Sequence, residues 1–345
     1  MQLLTSKKLK TYLSLSVGAT AAGGTTLAEA AARTNFMVRH VLMLALALLS
    51  APLDAKADVI YVSLQNGTVQ SFDVSLGSAA AIASSAQTFT SQALTRPQGV
   101  AFNATGDLFV ASYDTSTIAK YAPNGSYLPG GSISTNLQNP FGIAFDASGR
   151  LFAVNNGGGG SVSIFDAAGT YQGSISSNLN SPTGVTVDAS GNLYVANSGD
   201  NTISKFDAAG NYLAAGSIAG NLDAPFGLAR DASGNLYAAN VNNNTISKFD
   251  ASGSFVSTLG SGSLSVPVGL AIDSSGNLYA ANYNGNTIAK FSAAGTFLLS
   301  WSTADAPRFL AVAPVPEPST WMLATIAAVV LAGACRLSTK PDLER

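Results

Sequence analysis

The sequence predicts an all-β fold, a six-bladed β-propeller built from four-stranded blades, and three observations carry that expectation. Pro97, Pro140, Pro182, Pro225, Pro267 and Pro307 recur at intervals of 43, 42, 43, 42 and 40 residues. Between them, apolar segments of four to seven residues alternate with clusters of Gly, Asn and Asp, the pattern of short strands and tight turns. Incomplete units stand at both ends of the repeat region, so that one blade is completed from the two together. Four-stranded units of this length in series bury their faces against one another, which is how a propeller is assembled.

The fourth copy, PFGLARDASGNLYAANVNNNTISKFDASGSFVSTL, gives the elements in order: strand a over GLARD, strand b over NLYAAN, strand c over TISKFD and a looser strand d over SFVSTL. The a–b link is Asp-Ala-Ser-Gly, and the c–d link is Asp-Ala-Ser-Gly or Asp-Ala-Ala-Gly. Asp accepts from the backbone two residues on and Gly takes positive φ, so D-x-x-G forms a type I turn with a following bulge. The stretch VIYVSLQNGTVQSFD matches strands b and c with no strand a before it, whereas Pro307-Arg308-Phe309-Leu310-Ala311-Val312 matches strand a and then stops. Five full units and one composite blade, with strand a from the C-terminal side and b to d from the N-terminal side, make six. Composition agrees: 47% of residues are hydrophobic, enough for a core, and only 10% are charged, too few for long salt-bridged helices.

The pattern P-x-G-[VIL]-A-[VF]-D…G-N-L-Y-V-A-N…N-x-I-x-K-F-D…G resembles the NHL repeat, and the resemblance runs from Asp58 to Ala313. There are two departures. Many NHL units end strand b with Asp, but here Asn155, Asn197, Asn240 and Asn282 stand there, with Ser63 and Ser112 in the other two units. The closing strand carries Phe309 where the others have Gly.

The ends read as transport signals. Met37-Val38-Arg39-His40, the apolar run VLMLALALLS and Ala55-Lys56-Ala57 have the charged start, short apolar middle and small-x-small site of a secretory signal peptide. Residues 1–57 are therefore expected to be an N-terminal extension and signal, with Met37 as the start or with an unusually long export segment. Residues 58–313 form the propeller, 314–320 a Pro-rich linker, 321–335 an apolar helix and 336–345 a basic tail. Fifteen helical residues span only about 22 Å at about 1.5 Å each, a marginal anchor for a hydrocarbon core of roughly 30 Å. Pro316, Glu317 and Pro318 directly before that helix and Arg336 directly after it resemble the PEP-CTERM sorting signal of exported bacterial proteins. This resemblance implies passage through the inner membrane, an exosortase-type transpeptidase as partner in transit, and a final place at the cell surface or in the extracellular matrix. A plain C-terminal anchor is the alternative. Cys335 is the single cysteine, so no intramolecular disulfide forms.

Between Asp58 and Ala313 there is no His, Glu or Cys. Zinc takes His or Cys, and general bases working near neutral pH are usually His or a tuned Glu. No catalytic residue, metal ligand or cofactor is therefore assigned. The aspartates mostly occupy the repeated turns. The body has eight Lys and Arg against fourteen Asp, net −6, which argues against nucleic acid as a partner. Lys120, Lys205, Lys248 and Lys290 read as solvated positions of strand c. The Gly157–Gly160 run has no lysine and is not a phosphate cradle.

Propeller connectivity places the a–b and c–d turns on one rim and the b–c loops and d–a crossovers on the other. The turns are uniform, but the b–c loops vary: SYDTST, NNGGGGS, NSGDNT, NVNNNT, NYNGNT. The variable rim is the expected binding face. Its candidate ligand-binding residues are Asn155, Asn197, Asn240, Asn282, Phe141, Phe226, Tyr113 and Tyr283. Amides with a few aromatics suit a neutral glycan or a surface protein; the bland alternative is that each Asn satisfies the backbone of its own turn. The expected function is that of a monomeric, exported binding or scaffold protein. The alternative is a lactonase- or lyase-like enzyme using Asp and Asn around a divalent cation.

Overall fold

The computed structural model of the chain describes residues 59–90 and 94–313. The expected signal peptide, the PEP motif with Pro316, Glu317, Pro318 and Arg336, and the C-terminal helix all lie outside the described residues. Within them, 23 strands form six sheets ordered as the blades of a propeller. The ring closes as the sequence anticipates: β23 (Pro307–Val312) pairs antiparallel with β1 (Val59–Leu64), with Ile60 opposite Val312 and Val62 opposite Leu310. Strands β2 (Thr68–Asp73) and β3 (Gln87–Thr90) complete that composite blade.

Burial falls from the inside of each blade outward. In β16 (Leu236–Asn240) every residue is buried, because strand b is covered on both faces by neighbouring blades. In β17 (Thr245–Phe249), the next strand out, buried and part-buried residues mix, and β18 (Phe255–Leu259) is largely exposed. This gradient explains why the strand b segments read as unbroken apolar runs while strand d is the least regular part of the repeat.

The glycine of P-x-G has a packing role. A Cβ on Gly184 would stand 2.1 Å from the Phe226 carbonyl oxygen, and one on Gly227 would stand 2.5 Å from that of Val268. Successive inner strands thus approach backbone to backbone, which only glycine permits. At the closing seam Phe309 replaces that glycine, and the Ser63 hydroxyl mediates instead: it donates to the Gln98 carbonyl (2.5 Å) and accepts from the Phe309 N–H (3.1 Å).

The D-x-x-G turns form as expected. In the third unit the Gly191 N–H donates to the Asp188 carbonyl (2.9 Å) and Gly191 has φ +81°. The structure departs from the sequence expectation in three blades, one of them the unit that begins at Pro182, whose outer strand shrinks to β14 (Ile218–Ala219) and the bridge Phe206–Tyr212. In the blade that follows the composite one, the outer strand is reduced to the bridges Ile118–Ile133 and Tyr121–Tyr127 around a 3-10 turn at Pro129–Gly131, where the proline has no N–H to give a ladder. In the composite blade the c–d link holds a helix, α1 (Ala79–Ser84). An alanine-rich run with Ser78 as N-cap, its Oγ accepting from the Ala81 N–H at 3.3 Å, favours a helical turn over a hairpin, and buried Ile82 holds it to the core.

Candidate functional site

The four strand b asparagines come to the variable rim, as their register requires, but they are buried there. Asn240 Oδ1 accepts from the Asp223 N–H (3.1 Å), and its Nδ2 donates to Thr245 Oγ1 (3.1 Å) and Ser247 Oγ (2.8 Å). Asn155 and Asn197 repeat the arrangement with Gln138 and Asn180 as backbone donors and Ser163 and Ser204 among the acceptors. Asn282 accepts from the Ser265 N–H (3.3 Å) and donates to Thr287 (3.1 Å). Each amide ties strand b to strand c and to the d–a crossover 17 residues earlier. The backbone it satisfies is therefore the crossover, not its own turn. Aspartate could not make the two donations, which accounts for asparagine at this place.

The b–c loops carry a second tie. Asn201 Oδ1 accepts from the Ala224 N–H (2.7 Å) and Asn244 Oδ1 from the Val266 N–H (2.6 Å), linking each loop to the start of the next blade. These acceptor loops end in left-handed asparagines, and the residues they hold, Ala224 and Val266, have φ +48° and +52° just before the P-x-G proline.

Three phenylalanines meet at the propeller axis. Phe141 and Phe226 lie 5.3 Å apart between ring centroids, Phe141 and Phe309 6.4 Å, and Phe226 and Phe309 6.1 Å. They come from the inner strands of three non-adjacent blades, so their contact closes the axis. The glycine lost at Phe309 thus supplies an axial plug. Tyr113 leans edge-on against Phe141 at 5.3 Å. Phe141 is 9% exposed, whereas Phe226, Tyr113 and Tyr283 are part-exposed. At the register position of Phe141 and Phe226, the adjoining blade carries Gln98, fully buried, with neither amide atom hydrogen-bonded among the described residues.

All eight Lys and Arg of the propeller lie over aromatic rings. The four strand c lysines do so because register sets each opposite an aromatic of strand b, as with Lys248 and Tyr237 or Lys290 and Tyr279. Two arginines differ in belonging to the variable rim. Arg96 stacks on Tyr113 at 4.5 Å and pairs with Asp114 at 3.0 Å. Arg308 stacks on Tyr283 at 4.3 Å and donates to Gln65 Oε1 at 2.7 Å, and Tyr283 also donates to Gln65. Burial, reinforced by the charge of Arg96, lowers the Arg308 pKa from its ordinary value, against the opposing influence of Tyr283 and Asp305. Arg96, Arg308 and Gln65 escaped the sequence reading. The available signal was that only these two arginines flank the P-x-G proline, whereas the other cations lie in strand c or beside the a–b turn.

The opposite rim is occupied by turn aspartates. Asp231 Oδ1 accepts from the Ser233 and Asn235 N–H groups (3.0 and 2.9 Å), and Oδ2 from the Asn235 amide (2.7 Å) and the Tyr237 hydroxyl (3.1 Å). Burial would raise its pKa, but these hydrogen bonds outweigh it and the net shift is downward. Among the described residues no three His, Cys, Asp or Glu side chains converge as a metal site would need.

Residues 179–206 match the NHL repeat, covering strands a to c of one blade, Pro182–Val187, Leu193–Asn197 and Thr202–Phe206. No curated protein matches the chain. Among solved structures it is similar to a chain of a nidogen–laminin complex, with TM-score 0.63 and 18% identity over 75% of this chain and 98% of that one. It is also similar to virginiamycin B lyase from Staphylococcus aureus, with TM-score 0.56 and 10% identity over 74% and 85%. A protein of unknown function from Bacteroides caccae aligns with TM-score 0.59 and 10% identity over 75% and 100%. At such identities the likeness is one of fold.

Proposed function

We propose that this propeller is an exported, surface- or matrix-associated binding or scaffold protein, sorted through its PEP-CTERM-like signal, that engages a glycan or a surface protein on the variable rim. One observation supports the reading above the others: the part-exposed rings of Phe226, Tyr113 and Tyr283 stand around the closed axis on the rim whose loops vary. The opposite rim spends its polar groups on turn hydrogen bonds. Aromatic faces beside polar loops suit the apolar face of a sugar ring or a protein side chain. The asparagines act as the framework that fixes these loops. The enzyme alternative asks the same asparagines to ligate a cation, yet their carbonyl oxygens accept backbone N–H groups.

Fractionation of a host producing the tagged chain, combined with retention on its extracellular polysaccharide, tests this reading. The expected result is protein shed or held at the surface and retained by the polysaccharide. Protein confined to the cytoplasm, or a surface protein with no retention on polysaccharide or surface proteins, overturns it.

A further inference from the structure

Among the described residues Arg308 has no carboxylate partner. Its side chain lies flat on Tyr283, one Nη is taken by Gln65, and its Nε is buried with no acceptor among the described residues. The three ion pairs formed among the described residues are Arg96–Asp114, Lys120–Asp107 and Arg150–Asp146, none of which includes Arg308. Asp305 bears on it electrostatically without pairing within 4.0 Å, and Arg96 adds a like charge. A part-buried cation whose nearest charged groups largely cancel is costly unless a counter-ion completes it.

From this geometry we propose that Arg308, with Tyr283, Gln65 and the neighbouring Arg96–Tyr113 stack, forms a receptor for one carboxylate of an acidic sugar. Charge sets the class of ligand. The charge of Arg96 is already paired with Asp114, so of the two rim arginines Arg308 is the one with no carboxylate within 4.0 Å among the described residues, a single site matched by a monoanion more closely than by a phosphate dianion. The Nη not engaged by Gln65 is the donor left for a carboxylate oxygen, in a charge-assisted hydrogen bond. The net −6 of the body repels polyanions such as nucleic acid from the rest of the surface. The phenol rings of Tyr113 and Tyr283 and the ring of Phe226 supply apolar faces for the sugar. This deepens the binding reading above and rests on it, replacing the neutral ligand suggested by an asparagine-rich composition with an acidic one, since those amides are already used.

Calorimetric titration of the full-length chain with methyl galactopyranosiduronate, a monoanion, its methyl ester and inorganic sulfate tests the receptor. The acid is expected to bind at least tenfold tighter than the ester and than sulfate. Arg308→Gln should bring the acid down to the ester's level, and Asp114→Asn, which releases Arg96, should strengthen acid binding severalfold. Arg230→Gln removes a cation stacked on Tyr194 away from the rim and should keep the acid preference, which controls for folding and bulk charge. Equal binding of acid and ester, acid binding that survives Arg308→Gln, or sulfate binding as tightly as the acid overturns the proposal. Retention on polysaccharide with equal acid and ester binding would leave the binding reading standing and remove only the carboxylate receptor.

Discussion

Asn240 and Ser247 are joined by a buried hydrogen bond of 2.8 Å from Nδ2 to Oγ, and Ser247 in turn donates to the Asn221 carbonyl of the crossover. Strand b, strand c and the approach to strand a are thus held by one chain of hydrogen bonds. Asn240→Ala leaves buried donors and acceptors without partners and should cost about 1–3 kcal/mol in urea unfolding, with Asn240→Asp similarly destabilised. An unchanged unfolding midpoint in both variants would show that the clasp contributes nothing.

Gly184 faces the carbonyl of Phe226 across the seam between two inner strands. Gly184→Ala must push these strands apart, and a loss of about 1–3 kcal/mol is expected, as for other overpacked interiors. The check is the thermal midpoint beside that of Gly77→Ala, whose added Cβ meets nothing within 4 Å. Equal midpoints for the two variants would contradict the close-approach role of the P-x-G glycine.

Ala224 sits in the left-handed region with φ +48°. Glycine adopts that backbone without the Cβ penalty, so Ala224→Gly should raise stability by about 0.5–1 kcal/mol, offset in part by greater freedom of the unfolded chain. Denaturant titration reads the sign directly, and a destabilised variant would mean that the methyl packing outweighs the strain.

The turn aspartates set the response to acid. Hydrogen bonds from the Asn211 side chain and backbone, with further backbone N–H groups, lower the pKa of Asp207, and the Ser252 hydroxyl with backbone N–H groups does the same for Asp250. For Asp146, Asp188 and Asp231 burial acts upward but is outweighed by their hydrogen bonds, so these are lowered too. A folded pKa below the unfolded value of about 3.9 gives stability that is fully present above that value and is lost as pH falls through the folded pKa. The melting temperature should be level between about pH 7 and 5 and should drop below about pH 4. A drop already between pH 7 and 5 would contradict this assignment, since no propeller residue is a histidine.

The propeller was legible because its determinants are repeated. Proline spacing, D-x-x-G turns and complementary half-units each report a local rule applied several times, and Val62 opposite Leu310 is the seam those half-units imply. What failed to show was single-copy. The helix at Ala79–Ser84 lies in an insertion with no counterpart in the other units, and the shortened outer strands around Pro129 and at Ile218–Ala219 fall in the least regular part of the repeat. At the rim, the asparagine at the end of strand b recurs because four blades share the same clasp, whereas Arg96 and Arg308 occur once each, and only the folded seam shows that Arg96 pairs with Asp114 while Arg308 has no carboxylate partner among the described residues. Phe309 was visible as a departure, but its role as axial plug requires three distant blades to be brought together.

The central claim is that binding belongs to the variable rim around the closed axis. Retention on the host's extracellular polysaccharide tests it most directly, comparing the parent chain with Phe226→Ala on that rim and Phe255→Ala, an exposed ring next to the opposite turns, 42% exposed and 5.9 Å from Phe249. Loss of retention in Phe226→Ala with retention kept in Phe255→Ala, both variants melting as folded proteins, is the predicted result. Retention kept in Phe226→Ala and lost in Phe255→Ala would place the binding face on the other rim and contradict the account.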